Sequence, residues 1–447
     1  YNKCFMVITI ICICSPNIAI AHGLGVLLHQ VEKEAPQFHI AIAKQAATAA
    51  GTQVAKSQYW GHAEIFAQTT HYNTNRLVSP ISFPATLTQS SFDQNTYGYG
   101  TAFTLPIDID GRITAKVHAQ EHLNQAATEN INQTRLSIFS QTVTMYRGLQ
   151  QLEGIKKSLH KQLAALKGHK KVTEISVRVG RVAAVELLRI EAEIKSVQGQ
   201  LAGLMGDEAR LRANLGALIN TTSFNQPIDT LNGSPPHMPA KQKDDDVLHS
   251  RPDLLAASSI TQAEGENLKS AQREWLPSLS IRAEALRTQG YTANGKNNWS
   301  VTGQMSWQFW DGNRRFAHTD QAQANQEIAR QQFQNTLNQA RAELQSAKAA
   351  WQASLLQYQA TTAGLKASEK TERIQSDRFA SGRISAVDLI DAEAALARAR
   401  ADRTTALAKW WLADDQYHLA QGDAPTAYLR ANTKNSTAHS KGNHHGK

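Results

Sequence analysis

A nine-residue stretch that begins with glycine occurs twice in the chain. Gly180-Arg181-Val182-Ala183-Ala184-Val185-Glu186-Leu187-Leu188 is matched, 202 residues further on, by Gly382-Arg383-Ile384-Ser385-Ala386-Val387-Asp388-Leu389-Ile390. Each copy ends one long proline-free run that is rich in alanine and glutamine, and each begins another. A short glycine-containing break between two helical runs predicts a helical hairpin. The chain is therefore predicted to contain two copies of one long helical hairpin.

The proline-free runs are predicted to be very long helices. Proline is absent between Pro106 and Pro227, and again between Pro277 and Pro425. A helix over about 313–378 would be on the order of 100 Å long, which no globular core accommodates. Within it, residues recur at alternating steps of four and three, which predicts a heptad seam. They are Phe333, Leu337, Ala340, Leu344, Ala347, Trp351, Ser354 and Tyr358.

The first 21 residues are predicted to form a secretory signal peptide. Lys3 precedes an apolar run over 5–14, and Ala19-Ile20-Ala21 fits the small residues that signal peptidase requires. A membrane anchor is the alternative, but the run is short for a membrane span. Cysteine occurs only in this segment, so the remaining chain has neither disulfides nor thiol chemistry. Isoleucine precedes both Cys12 and Cys14, which argues against lipid attachment.

Of the net charge of +9, the segment 426–447 contributes +4 and Lys3 contributes +1, which leaves +4 for the rest of the chain. The segment 422–447 is basic and poor in large apolar residues, which predicts a disordered tail. Its histidines (His439, His444 and His445) are expected to be solvated rather than to bind metal. Because the rest of the chain is only mildly basic, we expect no nucleic-acid partner.

Two β-like pairs of segments precede the long helical runs. In the first pair, His62–Tyr72 and Tyr97–Leu105 flank a polar loop, and in the second, Ser278–Leu286 and Trp299–Trp310 do so. Alternating apolar and polar residues, at about the length of a tilted membrane strand, predict β-hairpins over about 58–110 and 275–311. A soluble amphipathic hairpin is the alternative reading. Aromatic residues gather at the segment ends, as in the interfacial girdle of membrane barrels: Tyr59, Trp60, Tyr72, Tyr97, Trp275, Tyr291, Trp299 and Trp310.

The chain is thus divided into two repeats. Repeat 1 covers 22–232, a connector rich in proline and aspartate covers 233–248, and repeat 2 covers 249–421. Four strands cannot close a barrel, and open strand edges are not tolerated in lipid. A dimer would supply eight strands and a trimer twelve, and only the larger barrel leaves a conduit. We therefore expect a homotrimer with a 12-stranded β-barrel.

Several motifs resemble those of the TolC-like outer membrane factors, and the resemblance covers nearly the whole chain after the signal. They are Arg251-Pro252-Asp253-Leu254 at the start of repeat 2, as in the efflux-type branch, Trp275-Leu276-Pro277, Asp311-Gly312, and the stretch Arg378–Ala392. The resemblance implies a mainly α-helical protein with membrane strands, in which helical hairpins form a periplasmic α-barrel. It implies an outer-membrane location extending into the periplasm of a Gram-negative bacterium. It further implies a passive exit duct for small molecules in a tripartite pump.

The resemblance also implies site residues and partners. The glycine turns would be the tips that contact a periplasmic adaptor (a membrane fusion protein), which joins the duct to an inner-membrane pump. These tips are Val179, Gly180, Arg181, Ser381, Gly382 and Arg383. Acidic residues just beyond the tips would close the periplasmic end, namely Glu186, Asp388 and Asp391. Acids at a helix start also suit the helix dipole, which is the alternative explanation.

Other functions are less well supported. His118-Ala119-Gln120-Glu121-His122 fits a zinc-protease pattern, but repeat 2 has no counterpart, and we expect no metal site, cofactor or enzymatic activity. A periplasmic coiled-coil adaptor or scaffold would explain the helices but not the two aromatic-rimmed hairpins. Type I protein secretion is a closer alternative to small-molecule efflux.

Overall fold

The computed structural model describes residues 23–79, 92–231, 233 and 248–423. The predicted signal peptide, most of the connector and the tail from 424 onwards lie outside these residues. The chain forms two compact units. Of the described residues, one unit comprises 23–36, 136–231, 233 and 344–423, and we call it the turn unit because it contains both glycine turns. The other comprises 37–79, 92–135 and 248–343, and we call it the sheet unit.

Corresponding long helices of the two repeats have equal lengths. Helices α1 (Leu24–Glu34) and α2 (Pro36–Ser57) precede the first hairpin, and α5 (Pro252–Gln272) precedes the second. Helices α3 (Arg112–Arg178) and α6 (Arg314–Ala380) both contain 67 residues. Helices α4 (Ala184–Leu218) and α7 (Ala386–Ala420) both contain 35 residues. No helix in the described ranges is both long enough and apolar enough to cross a membrane.

The heptad seam predicted on α6 is confirmed. Leu344 and Trp351 on this seam are almost fully buried, whereas the residues between them are mostly exposed. Trp351 packs in a cluster with Leu407, Trp410 and Ala413 of α7. Apolar side chains at this spacing lie along one face of the helix. Their burial between the two helices removes them from water and stabilises the pair.

Both β-hairpins join in a single antiparallel sheet of order β1-β2-β3-β4. Its strands are β1 (His62–Leu77), β2 (Phe92–Ile107), β3 (Ser278–Gly290) and β4 (Lys296–Ser306). The first three strands are longer than predicted. Within the described residues, the outer edges of β1 and β4 have no strand beside them.

The prediction that the last strand runs to Trp310 is wrong, because β4 ends at Ser306. The Arg315 guanidinium donates to the Gln308 and Phe309 carbonyl oxygens at 3.4 and 3.3 Å. The Trp307 indole N–H donates to the Trp275 carbonyl oxygen at 2.9 Å. After Ser306 the chain therefore makes side-chain hydrogen bonds in place of strand pairing. The alternation of apolar and polar residues nevertheless continues to Trp310, beyond the end of the strand.

Candidate functional site at the helix turns and the sheet

The two glycine turns have the same backbone geometry. The Arg181 amide donates to the Ser176 carbonyl oxygen at 2.8 Å, and the Gly180 amide donates to the Val177 carbonyl oxygen at 3.0 Å. The same two bonds recur around Gly382 at 2.8 and 2.9 Å. This pair of bonds is the Schellman motif, which ends a helix with a residue of positive φ. Both glycines have φ of 71°, which explains why glycine occupies both positions.

All six residues predicted as tips are exposed: Val179, Gly180, Arg181, Ser381, Gly382 and Arg383. Val179 is a large apolar side chain with 60% of its surface exposed. A Cβ added at Gly180 or Gly382 would meet no atom within 4 Å. The two turns therefore present open surface, and the need for glycine there comes from the backbone alone.

The first turns of α4 and α7 are built differently. Ser385 and Asp388 form a capping box, in which the Asp388 amide donates to Ser385 Oγ at 3.3 Å and the Ser385 amide donates to Asp388 Oδ2 at 3.1 Å. At the matching position in repeat 1, Ala183 offers no side-chain cap. The predicted gate residue Asp388 therefore caps its own helix in this structure.

Glu186 links the two repeats. Its Oε2 accepts a hydrogen bond from the Ala386 amide at 3.1 Å, at the start of α7, and its Oε1 accepts one from Arg189 at 3.3 Å. A carboxylate at a helix N-terminus satisfies a free amide and interacts favourably with the helix dipole. The structure thus brings Glu186 and the start of α7 together.

Asp391, the third predicted gate residue, is exposed and lies near Glu193 of α4. Partial burial and the charge of Asp391 raise the pKa of Glu193. Glu193 was not identified from the sequence, since it has no acidic counterpart at the matching position in repeat 2.

A second acidic pair distinguishes the repeats. In repeat 1, Lys170 and Glu191 form an ion pair at 2.8 Å. The residues 202 positions later are Glu372 and Glu393, so the lysine is replaced by a carboxyl group. Burial, followed by the charge of Glu393, raises the pKa of Glu372.

Glu393, the buried member of this pair, contacts a histidine from repeat 1. His169 Nε2 lies 3.3 Å from Glu393 Oε1, and Glu393 is almost fully buried. The His169 ring also packs edge-on against Phe379, with ring centroids 6.1 Å apart. Sequence reasoning missed this cluster, although aligning the two repeats reveals the exchange of lysine for glutamate.

The Arg251–Leu254 motif connects the start of α5 to α6 within the sheet unit. Pro252 begins α5, and Leu254 is buried. Arg251 Nη2 donates to Asp253 Oδ2 at 2.7 Å and to Glu343 Oε2 of α6 at 2.9 Å. Burial opposes the charge on Arg251, but these hydrogen bonds outweigh it and raise its pKa. The motif therefore supports the fold rather than a reaction.

The histidines of the zinc-protease pattern have other partners. Glu121 pairs with Lys56 at 2.7 Å, and His118 Nδ1 lies 3.9 Å from Glu266. His122 lies 3.2 Å from the side-chain oxygen of Gln125. Nowhere in the described ranges do three His, Cys, Asp or Glu side chains meet in a group that could hold a metal ion.

The two faces of the sheet differ in polarity. In register, Phe103 lies beside Ala63 and Ala283, and Val301 lies beside Ala283, which together make an apolar face. Large apolar side chains on this face are exposed, namely Ile65, Tyr97, Tyr99, Phe103, Ile281, Trp299, Val301 and Met305. The opposite face is largely polar, with Glu64, Gln68, Thr104, Arg282, Glu284, Ser300, Thr302 and Gln304. A sheet with an exposed apolar face and a polar opposite face is typical of a membrane barrel.

Comparison with known proteins agrees with this architecture. The sequence matches the model of the family described as "Outer membrane efflux protein" over residues 27–221 and 245–416, which is most of the chain. No curated protein matches it significantly.

Solved structures share the fold. The chain is similar to the outer membrane protein VceC from Vibrio cholerae, at 19% identity and a TM-score of 0.76, over 90% of this chain and 96% of that one. It is similar to the Campylobacter jejuni CmeC outer membrane channel, at 19% identity and a TM-score of 0.77, over 92% and 88%. It is also similar to the open state of the Neisseria gonorrhoeae MtrE outer membrane channel, at 18% identity and a TM-score of 0.74, over 90% and 89%.

The predicted fold class and the predicted resemblance are both confirmed by these matches. Helical hairpins and β-hairpins in two repeats are the architecture of outer membrane channels. The chain belongs to the outer membrane efflux protein family.

Proposed function

We propose that this protein is the outer-membrane duct of a tripartite efflux pump, through which small molecules pass passively to the exterior. The observation that carries the proposal is the four-stranded sheet with one exposed apolar face and two outer edges unpaired in the described residues. The exposed apolar face suits lipid, and the polar face suits an aqueous interior.

The open edges require further copies of the chain. Unpaired strand edges are too costly in hydrocarbon, so a membrane sheet must close on itself. Three chains would supply twelve strands, enough for an open interior. In this homotrimer the hairpins of α3 with α4 and of α6 with α7 would form the periplasmic α-barrel.

The exposed turns suit a role in partner contact. Because Val179, Arg181 and Arg383 are exposed and no neighbouring atoms crowd the glycines, a partner could approach both turns closely. We propose that a periplasmic adaptor contacts the turns and couples the duct to an inner-membrane pump that supplies the energy. Asp388 and Asp391 would lie near the periplasmic opening, with Glu186 joining the two repeats beside them.

Expression with the native N-terminal segment tests this function. The protein should appear in the outer-membrane fraction, need detergent for extraction, and form ion-conducting pores in planar bilayers. A protein that is extracted in plain buffer and forms no pores would instead support a periplasmic adaptor or scaffold. Co-purification with a protein-exporting partner would favour type I secretion over small-molecule efflux.

A further inference from the structure

We propose that Glu64, Arg282 and Glu284 form an ion-selective ring inside the β-barrel, apart from the acids at the helix turns. The inference rests on the proposed channel function. Arg282 lies on β3 and connects three strands on the polar face of the sheet. Its Nη2 donates to Glu64 Oε1 of β1 at 3.0 Å, its Nη1 donates to Thr104 Oγ1 of β2 at 3.3 Å, and its Nε donates to Glu284 Oε2 at 3.2 Å.

Strand register explains why this group forms. Ala102 pairs with Glu64 on one side and with Glu284 on the other, so the two carboxylates flank a small residue. Only 3% of Ala102 is exposed. Arg282 pairs with Thr104 in the adjacent row, from which its guanidinium reaches both carboxylates.

The group has an excess of negative charge. Two carboxylates and one guanidinium leave a net charge of −1 for each chain, and all three side chains remain partly exposed to water. In a closed barrel the polar face lines the interior, so each chain would contribute this charge at one level of the conduit. Rings of charged side chains set the ion preference of a pore, and carboxylates favour cations.

Arg282 then has two effects of opposite sign. It holds the carboxylates in place across β2, and it cancels part of their charge. Removing it should raise cation preference, whereas removing one or both carboxylate charges should lower it. These opposite expected shifts distinguish an electrostatic role from a general loss of structure. A loss of structure would change the ion preference in a way that does not depend on the sign of the charge removed.

The test is the reversal potential across planar bilayers in a potassium chloride gradient, recorded for full-length wild type and variants. Arg282→Met should raise the cation-to-anion permeability ratio by about twofold or more, and Glu64→Gln with Glu284→Gln should lower it by about twofold or more and favour anions. Arg287→Met is the matched control, because Arg287 lies on the same strand and its odd-numbered register places it on the other face. This control should leave the ratio unchanged.

The same recordings are repeated with Asp388→Ala and Asp391→Ala present, so that acids at the turns do not mask the barrel. If wild type conducts but both sets of barrel variants keep the wild-type ratio, the ring is disproved while the channel stands. If both charge-removing changes shift the ratio in the same direction, the electrostatic role is also disproved. If wild type forms no pores, the proposed function itself fails, and the ring with it.

Discussion

At the residue scale, the Glu186 carboxylate joins two segments that are 200 residues apart. We expect Glu186→Ala to weaken the start of α7 by about 1 kcal/mol, since the Ala386 amide loses its acceptor and the helix loses a favourable charge. Hydrogen exchange of the first turn of α7 measures this effect. The control is Asp391→Ala, which removes an exposed acid from α7 itself. It should change hydrogen exchange in the first turn of α7 less than Glu186→Ala does. Equal exchange in wild type and Glu186→Ala would contradict the link.

The Glu372–Glu393 pair makes a prediction about pH. The pKa of Glu372 is raised above its ordinary value of 4.5, so its protonated form is favoured in the folded protein. The resulting contribution to stability is complete below pH 4.5 and is lost as pH rises through the raised pKa. Glu372→Lys would reproduce the Lys170–Glu191 ion pair of repeat 1 and should stabilise the turn unit at neutral pH.

Thermal unfolding at several pH values tests this prediction. At pH 7 we expect Glu372→Lys to raise the Tm by about 1–3 °C, a small shift because the site is only partly shielded from water. Glu369→Lys is the matched control, because it makes the same change at an exposed position one turn earlier on α6. If both variants unfold at the same temperature, or if the gain of Glu372→Lys is larger at pH 4 than at pH 7, the pairing is disproved.

At the element scale, the glycine turns set where each long helix ends. Gly382→Val should leave the protein in the membrane but reduce efflux-dependent resistance, because a β-branched residue at φ of 71° costs on the order of 1–3 kcal/mol. The space around Gly382 is open, so the cost is purely conformational. Gly364→Val is the control, since Gly364 lies within α6, has similarly open surroundings and does not have positive φ. Full resistance with Gly382→Val would show that this turn geometry is not needed.

The elements could be predicted largely from local pattern, whereas the site could not. The repeated glycine stretch, the heptad seam and the missing prolines are sufficient to predict the hairpin of α6 and α7. The alternating pattern does not indicate the end of β4, because the Gln308 and Phe309 carbonyl groups accept hydrogen bonds from Arg315, a residue outside the strand. The Glu186–Ala386 bond and the His169–Glu393 contact join the two repeats, so neither residue's own surroundings in the sequence indicate its partner.

At the scale of the whole molecule, the proposed channel requires the sheet to close. One chain supplies four strands, and the described part leaves the outer edges of β1 and β4 open. We infer that lipid covers the exposed apolar face, since large exposed apolar patches mark interaction sites, and that further copies of the chain pair the open edges, which hydrocarbon does not tolerate. Assembly and membrane insertion are therefore expected to occur together, with β4 of one copy pairing with β1 of the next.

The number of chains in the detergent-extracted complex shows whether the barrel closes as proposed. Native mass spectrometry of protein purified from outer membranes should give a mass equal to three chains, unchanged on dilution, because three four-stranded sheets close one twelve-stranded barrel. A mass of one chain, or of two, would contradict the account.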